Sequence, residues 1–148
     1  MELEPENPGG HHYYIHMVEL PHPDMGVKSA DKLASLMPGA GHIVHMPSHI
    51  YIRVGRYLDA VKTNQTAIAA DEDYIAQCFS QGLYPLAYYP HNIHFLWSSA
   101  RLLGASEIAI DAAKKTAEKV PVGELKELPF LQDFAATPLL AYTRFGKW

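Results

Sequence analysis

The strongest constraint on this chain is a turn that recurs. Arg53-Val54-Gly55-Arg56-Tyr57 returns as Arg144-Phe145-Gly146-Lys147-Trp148, and Leu102-Leu103-Gly104-Ala105-Ser106 carries the same glycine without the aromatic. A glycine just past a helical pattern is a stop signal, because it takes the left-handed backbone conformation at little cost. The residues before the stops also recur. His42 and His45 precede Gly55 by the same steps as His91 and His94 precede Gly104, and Ser98 takes the place of His49. Ala60 and Ala109 follow their glycines at matching positions, small enough to let helices approach closely. A chain with such internal register folds as stacked units.

Each unit reads as helical. His42, His45 and His49 form one stripe of a helix over 41–54, and Val44, Ile50, Tyr51 and Val54 make its other face apolar. Pro47 lies inside that helix and is expected to kink or locally loosen it, or to mark a later helix start. Upstream, residues 1–10 read as frayed and 11–20 as a helix stopped by Pro21-His22-Pro23, with His12, His16 and Glu19 on one face. Asp24 is placed to cap a helix running to Met37. Downstream, a helix is expected from Leu58 to Ala70, with Asp71-Glu72-Asp73 as its end or a loop. Residues 74–89 read as a helical extension followed by an ordered loop. Further helices are expected over 90–103, 106–119, 124–132 and 133–145, the last with Pro138 as a kink or late start. No long run alternates with period two, so no sheet is expected.

Helix, glycine-aromatic turn and small-residue helix, on a basic length of about 34 residues, resemble the tetratricopeptide repeat. The resemblance implies an all-α, right-handed solenoid of helical hairpins in one domain over 1–148, with about three helix pairs and a terminal helix. The units fall at 11–38, 41–72 and 90–121, with a partial unit at 133–148 and an insertion at 74–89. The chain stops inside the turn of its last unit, which predicts a piece cut from a longer protein. HHYYIH, GHIVHMPSHIYIRVGRY and YYPHNIHFLW also resemble a family of bacterial proteins with such repeats, a likeness that implies no particular reaction.

In this repeat class the first helix of each pair lines a concave groove. The resemblance therefore implies that His42, His45, His49, His91, His94 and Ser98 face one groove, joined by His12 and His16, with His11 as the alternative to His12. Arg53 and Arg101 are expected near the groove ends, and Tyr88 and Tyr89 just before the third row. Three readings follow. The first is a binding scaffold, needing no cofactor, whose groove recognises a polar or acidic peptide, protein or small ligand, since imidazole both donates and accepts. The second is a divalent transition-metal site, such as zinc, on His45, His49 and His94 with His12 or His16, open to catalysis at a free position. The third is structural: the imidazoles satisfy one another and the backbone around Pro47.

Composition narrows the classes. A net charge of −4 gives no general pull toward nucleic acid, and no apolar run is long enough for a membrane span. There is no HExxH pair, no cysteine pair, no glycine-rich phosphate loop and no Ser-His-Asp set that order alone supports, so a catalytic role is not the expectation. Cys78, the single cysteine, reads as a small buried hydrophobe, and Tyr13, Tyr14, Tyr84, Tyr88, Tyr89 and Trp97 as packing. The end near Trp148 lacks its packing helix, which predicts self-association there.

Overall fold

The computed structural model describes residues 4–79, 82–129 and 131–147. Among them the chain is helical throughout its regular structure and forms no strand. The helices are α1 (Pro8–Val18), α2 (Val27–Leu36), α3 (Gly41–His45), α4 (Pro47–Tyr51), α5 (Tyr57–Cys78), α6 (Tyr89–Leu103), α7 (Ser106–Glu118) and α8 (Leu131–Phe145). None of them is long and apolar enough to cross a membrane.

The arrangement is repeat-like. One row runs α1, α3–α4, α6, α8, each packed on the next. Helices α2, α5 and α7 stand behind it, and each packs against two members of the row: α2 on α1 and α3–α4, α5 on α3–α4 and α6, α7 on α6 and α8. The recurring turn has one geometry. Gly55, Gly104 and Gly146 hold φ of +80°, +82° and +62°. In each case the next residue turns back to a carbonyl five residues earlier: Arg56 N–H to Tyr51 O, Ala105 N–H to Ala100 O, Lys147 N–H to Tyr142 O. This is the closure that satisfies the last carbonyls of a helix when a left-handed residue follows it. Trp148 lies outside the described residues.

The apolar core has two parts. Ile15, Leu33, Met46 and Ile50 join α1, α2, α3–α4 and the start of α5 at Ala60. Ile68, Ile93, Trp97, Ala109, Ala113 and Ala141 join α5 to α8. Ala60 and Ala109 are fully buried, as close helix approach requires.

Several expectations need correction. Helix α1 starts earlier than the polar N-terminus suggests, because Asn7 caps it and accepts from Gly10 N–H at 2.8 Å. Asp24 does not cap a helix; it sits in a 3-10 turn, Pro23–Gly26, that leads into α2. At Pro47, which has no N–H to give, the histidine helix divides into α3 and α4, so the later start rather than a simple kink describes it. Met46 keeps right-handed helical angles across the break, so the chain goes on turning in the helical sense. Asp71-Glu72-Asp73 is no helix end, since α5 runs through it to Cys78. Asp71 is fully buried, and accepts from Tyr84 Oη–H at 2.6 Å and Asn92 Nδ2–H at 2.7 Å. After the helical extension, Tyr84–Tyr88 forms a π-helical turn; residues 80 and 81 of this stretch lie outside the described set. The helix expected over 124–132 is instead a 3-10 turn, Val122–Leu125, before α8, with residue 130 outside the described set. Helix α8 runs through Pro138. Cys78 and Tyr13 are exposed rather than packed.

Candidate metal centre and ligand pocket

Because α1, α3–α4 and α6 lie side by side, their imidazoles meet. His45 ends α3 and His49 lies in α4, yet the helical angles at Met46 between them leave the two rings with centroids 4.8 Å apart. His91 comes from the first turn of α6, its ring 4.7 Å from that of His45. The three Nε2 atoms converge: His49 Nε2 is 3.0 Å and His91 Nε2 is 3.1 Å from His45 Nε2. Phe95, one turn along α6, packs against all three rings.

The opposite ring nitrogens are already engaged. Asn64 of α5 gives its amide N–H to Ala60 O at 2.8 Å, which turns its carbonyl oxygen toward His45. His45 Nδ1–H donates to that Oδ1 at 2.9 Å. His49 Nδ1–H donates to Glu19 Oε2 at 2.7 Å. A neutral imidazole has one N–H and one lone pair. With both Nδ1 atoms protonated, the Nε2 lone pairs of His45 and His49 face each other at hydrogen-bond distance. Between two neutral rings that contact repels, and a proton or a metal ion shared by the two nitrogens relieves it.

Burial holds His42, His45 and His91 in the neutral form. His45 is fully buried, and its imidazole lies well below its ordinary value, first through burial and then through His49 and His91, against the raising effect of Asn64. Burial, then His49, holds His91 down to about 3; burial, then His12, holds His42 down to about 4. Burial alone would raise the Glu19 carboxyl, but its hydrogen bonds with His49 and His16 outweigh this and bring it down to about 2. Glu19 is therefore a carboxylate shared by two histidines, since His16 Nδ1 also donates to its Oε1 at 2.9 Å.

A pocket of about 530 Å³ opens over this centre. His12, His16, His42, His49 and His91 line it, and Tyr88 and Phe134 wall it. Donor atoms lie within 4.8 Å of one another in each of three trios: His45, His49 and His91; His12, His16 and His42; His16, Glu19 and His49.

Of the residues picked out by sequence, the structure brings together His12, His16, His42, His45, His49 and His91. It does not bring in His94, whose ring packs 4.9 Å from Trp97 and 5.1 Å from Phe134. His91 holds the place beside His45 and His49 that the metal reading gave to His94, because burying Ile93, Leu96, Trp97 and Ala100 decides which face α6 turns to α3 and α4. Arg53 is exposed in the turn after α4, Ser98 is half-buried on α6, and Arg101 lies over the Trp97 ring at 5.0 Å. None of the three lines the pocket. His11 turns away and bonds Pro5 O through Nε2 at 2.9 Å, so of the two alternatives it is His12 that joins His16 at the pocket. Asn64 and Phe95 escaped the sequence reading; Asn64 sits on α5 and carries no histidine-like signal. Comparison with protein-family models, with curated proteins and with solved structures found no match to this chain.

Proposed function

We propose that this protein binds a first-row divalent transition metal, such as zinc, through His45, His49 and His91, with an open position facing the pocket. The observation that carries this is the convergence of three Nε2 atoms, two of them with Nδ1 committed to Asn64 Oδ1 and Glu19 Oε2. A metal-ligating histidine characteristically gives its other N–H to a carboxylate or carbonyl, which fixes the tautomer and aims the lone pair. Three imidazoles with one free position make the ligand set of an open zinc site. The ion would satisfy at once the lone pairs that otherwise oppose one another. The pocket is of the size that takes a small ligand, so a small polar molecule fits as the fourth ligand. This joins the metal reading to the polar-ligand reading, and the row of α1, α3–α4 and α6 suits both as the inner face of a tetratricopeptide-like solenoid. An acidic peptide gains less here, because neither Arg53 nor Arg101 lines the pocket.

The test is elemental analysis of tag-free protein together with thermal melting in zinc and in chelator. Zinc at a hundred times its dissociation constant stabilises by about 2.7 kcal/mol, a shift of about 5–10 °C for a chain of this size. The shift is expected to vanish in His45→Ala/His49→Ala. A melt indifferent to zinc, copper, nickel and chelator would instead assign the imidazoles to holding one another.

A further inference from the structure

The outer half of the pocket carries a second set of donors that the His45–His49–His91 centre does not use. We propose that His12, His16 and His42 hold a second transition-metal ion, and that Glu19 couples it to the first. This rests on the function proposed above, since the inner ion is one partner of the pair.

Three observations support it. The donor atoms of His12, His16 and His42 lie within 4.8 Å of one another, close enough to share one ion. His12 Nε2 and His42 Nδ1 are buried ring nitrogens without a hydrogen-bond partner, and both rings line the pocket. Buried polar atoms are nearly always paired, so two orphans in one cavity point to a missing partner. Finally, Glu19 holds one ligand of each trio: its Oε1 takes the His16 Nδ1–H at 2.9 Å and its Oε2 takes the His49 Nδ1–H at 2.7 Å. The same carboxylate therefore frees Nε2 of His16 for the outer ion and Nε2 of His49 for the inner one.

The donor set selects the ion class. It is all imidazole, Cys78 lies at the far end of α5, and each Glu19 oxygen already takes one histidine N–H. Imidazole suits zinc, copper, nickel and cobalt, whereas calcium and magnesium call for oxygen. Two such ions would each turn an open position toward the pocket, where a small anion or water could bind.

The experiment is titration of the chelator-stripped chain with cobalt(II), read as ions retained per chain after dialysis and as ligand-field absorption, with copper(II) paramagnetic resonance for ion–ion coupling. The expected result is two ions per chain with coupled copper signals. His12→Gln and His16→Gln are each expected to retain one, and Glu19→Gln to weaken both by about 10- to 100-fold. His16 is exposed, so His16→Gln spares the packing and carries the test should His12→Gln fail to fold. A single ion that persists in both variants and is lost in His91→Gln would overturn the second site and leave the first standing. No retained ion would overturn both.

Discussion

Asn64 Oδ1 lies 2.9 Å from His45 Nδ1, inside the protein and with neither side chain touching solvent. This bond makes Asn64 a positioning residue: it acts on the centre only by fixing which nitrogen of His45 carries the proton. Asn64→Ala is expected to lower zinc affinity about 10- to 100-fold. Leaving the buried His45 N–H unpaired is expected to cost about 1–3 kcal/mol of stability. Asn64→Asp keeps the acceptor and is expected to bind more tightly than Asn64→Ala. Calorimetric titration and urea melts of the two variants check this; equal affinities in both would contradict it.

Gly41 starts α3 against the middle of α5. A Cβ there would stand 1.9 Å from Asp71 Oδ1 and 2.8 Å from Ala67 O, so something must move. Asp71 is also tied to Tyr84 and Asn92, which makes it slow to yield. Gly41→Ala is expected to destabilise by about 1–3 kcal/mol, the usual cost of overpacking. It should weaken zinc binding as well, because α3 carries His42 and His45. Gly39→Ala, with open space around its Cβ, is the control. Matching urea midpoints for the two variants would refute the contact.

Gly104 tests the recurring turn alone. Its φ is +82° and nothing lies within 4 Å of an added Cβ, so Gly104→Ala pays only for the left-handed backbone. The expected cost is about 1 kcal/mol, without change in zinc affinity. A loss of affinity without loss of stability would show that the turn does more than end α6.

His94 gives the stability a pH dependence. Burial, then Arg101, holds its imidazole at about 4 against an ordinary 6.5, with Asp133 opposing. Its folded value is the lower one, so its contribution is intact above pH 6.5. Below that the unfolded chain takes a proton that the folded chain refuses, and stability falls until about pH 4. At pH 5 this loss is on the order of 2 kcal/mol. In chelator, the gap in unfolding free energy between pH 7.5 and pH 5 is expected to shrink by about that much in His94→Gln. Superimposable pH profiles would contradict it.

How much of this was legible depended on whether the cause was local. The turns at Gly55, Gly104 and Gly146 were legible because a left-handed residue after a helix demands glycine whatever lies nearby. The pairs His12–His16 and His45–His49 were legible because a four-residue step places two side chains on one helix face. Asp71 was misread because an acidic trio ordinarily marks solvent, and the partners that bury it, Tyr84 and Asn92, come from later elements. The choice of His91 over His94 was hidden for the same reason. Both lie on α6, and only the packing of Ile93, Leu96 and Trp97 decides which one turns toward α3 and α4.

The central claim is that His45, His49 and His91 share one ion, and anomalous diffraction at the zinc edge from zinc-soaked crystals tests it most directly. The account predicts a strong anomalous peak about 2.0–2.1 Å from all three Nε2 atoms. Zinc found only elsewhere on the surface, with the three nitrogens still in contact with one another, would contradict it.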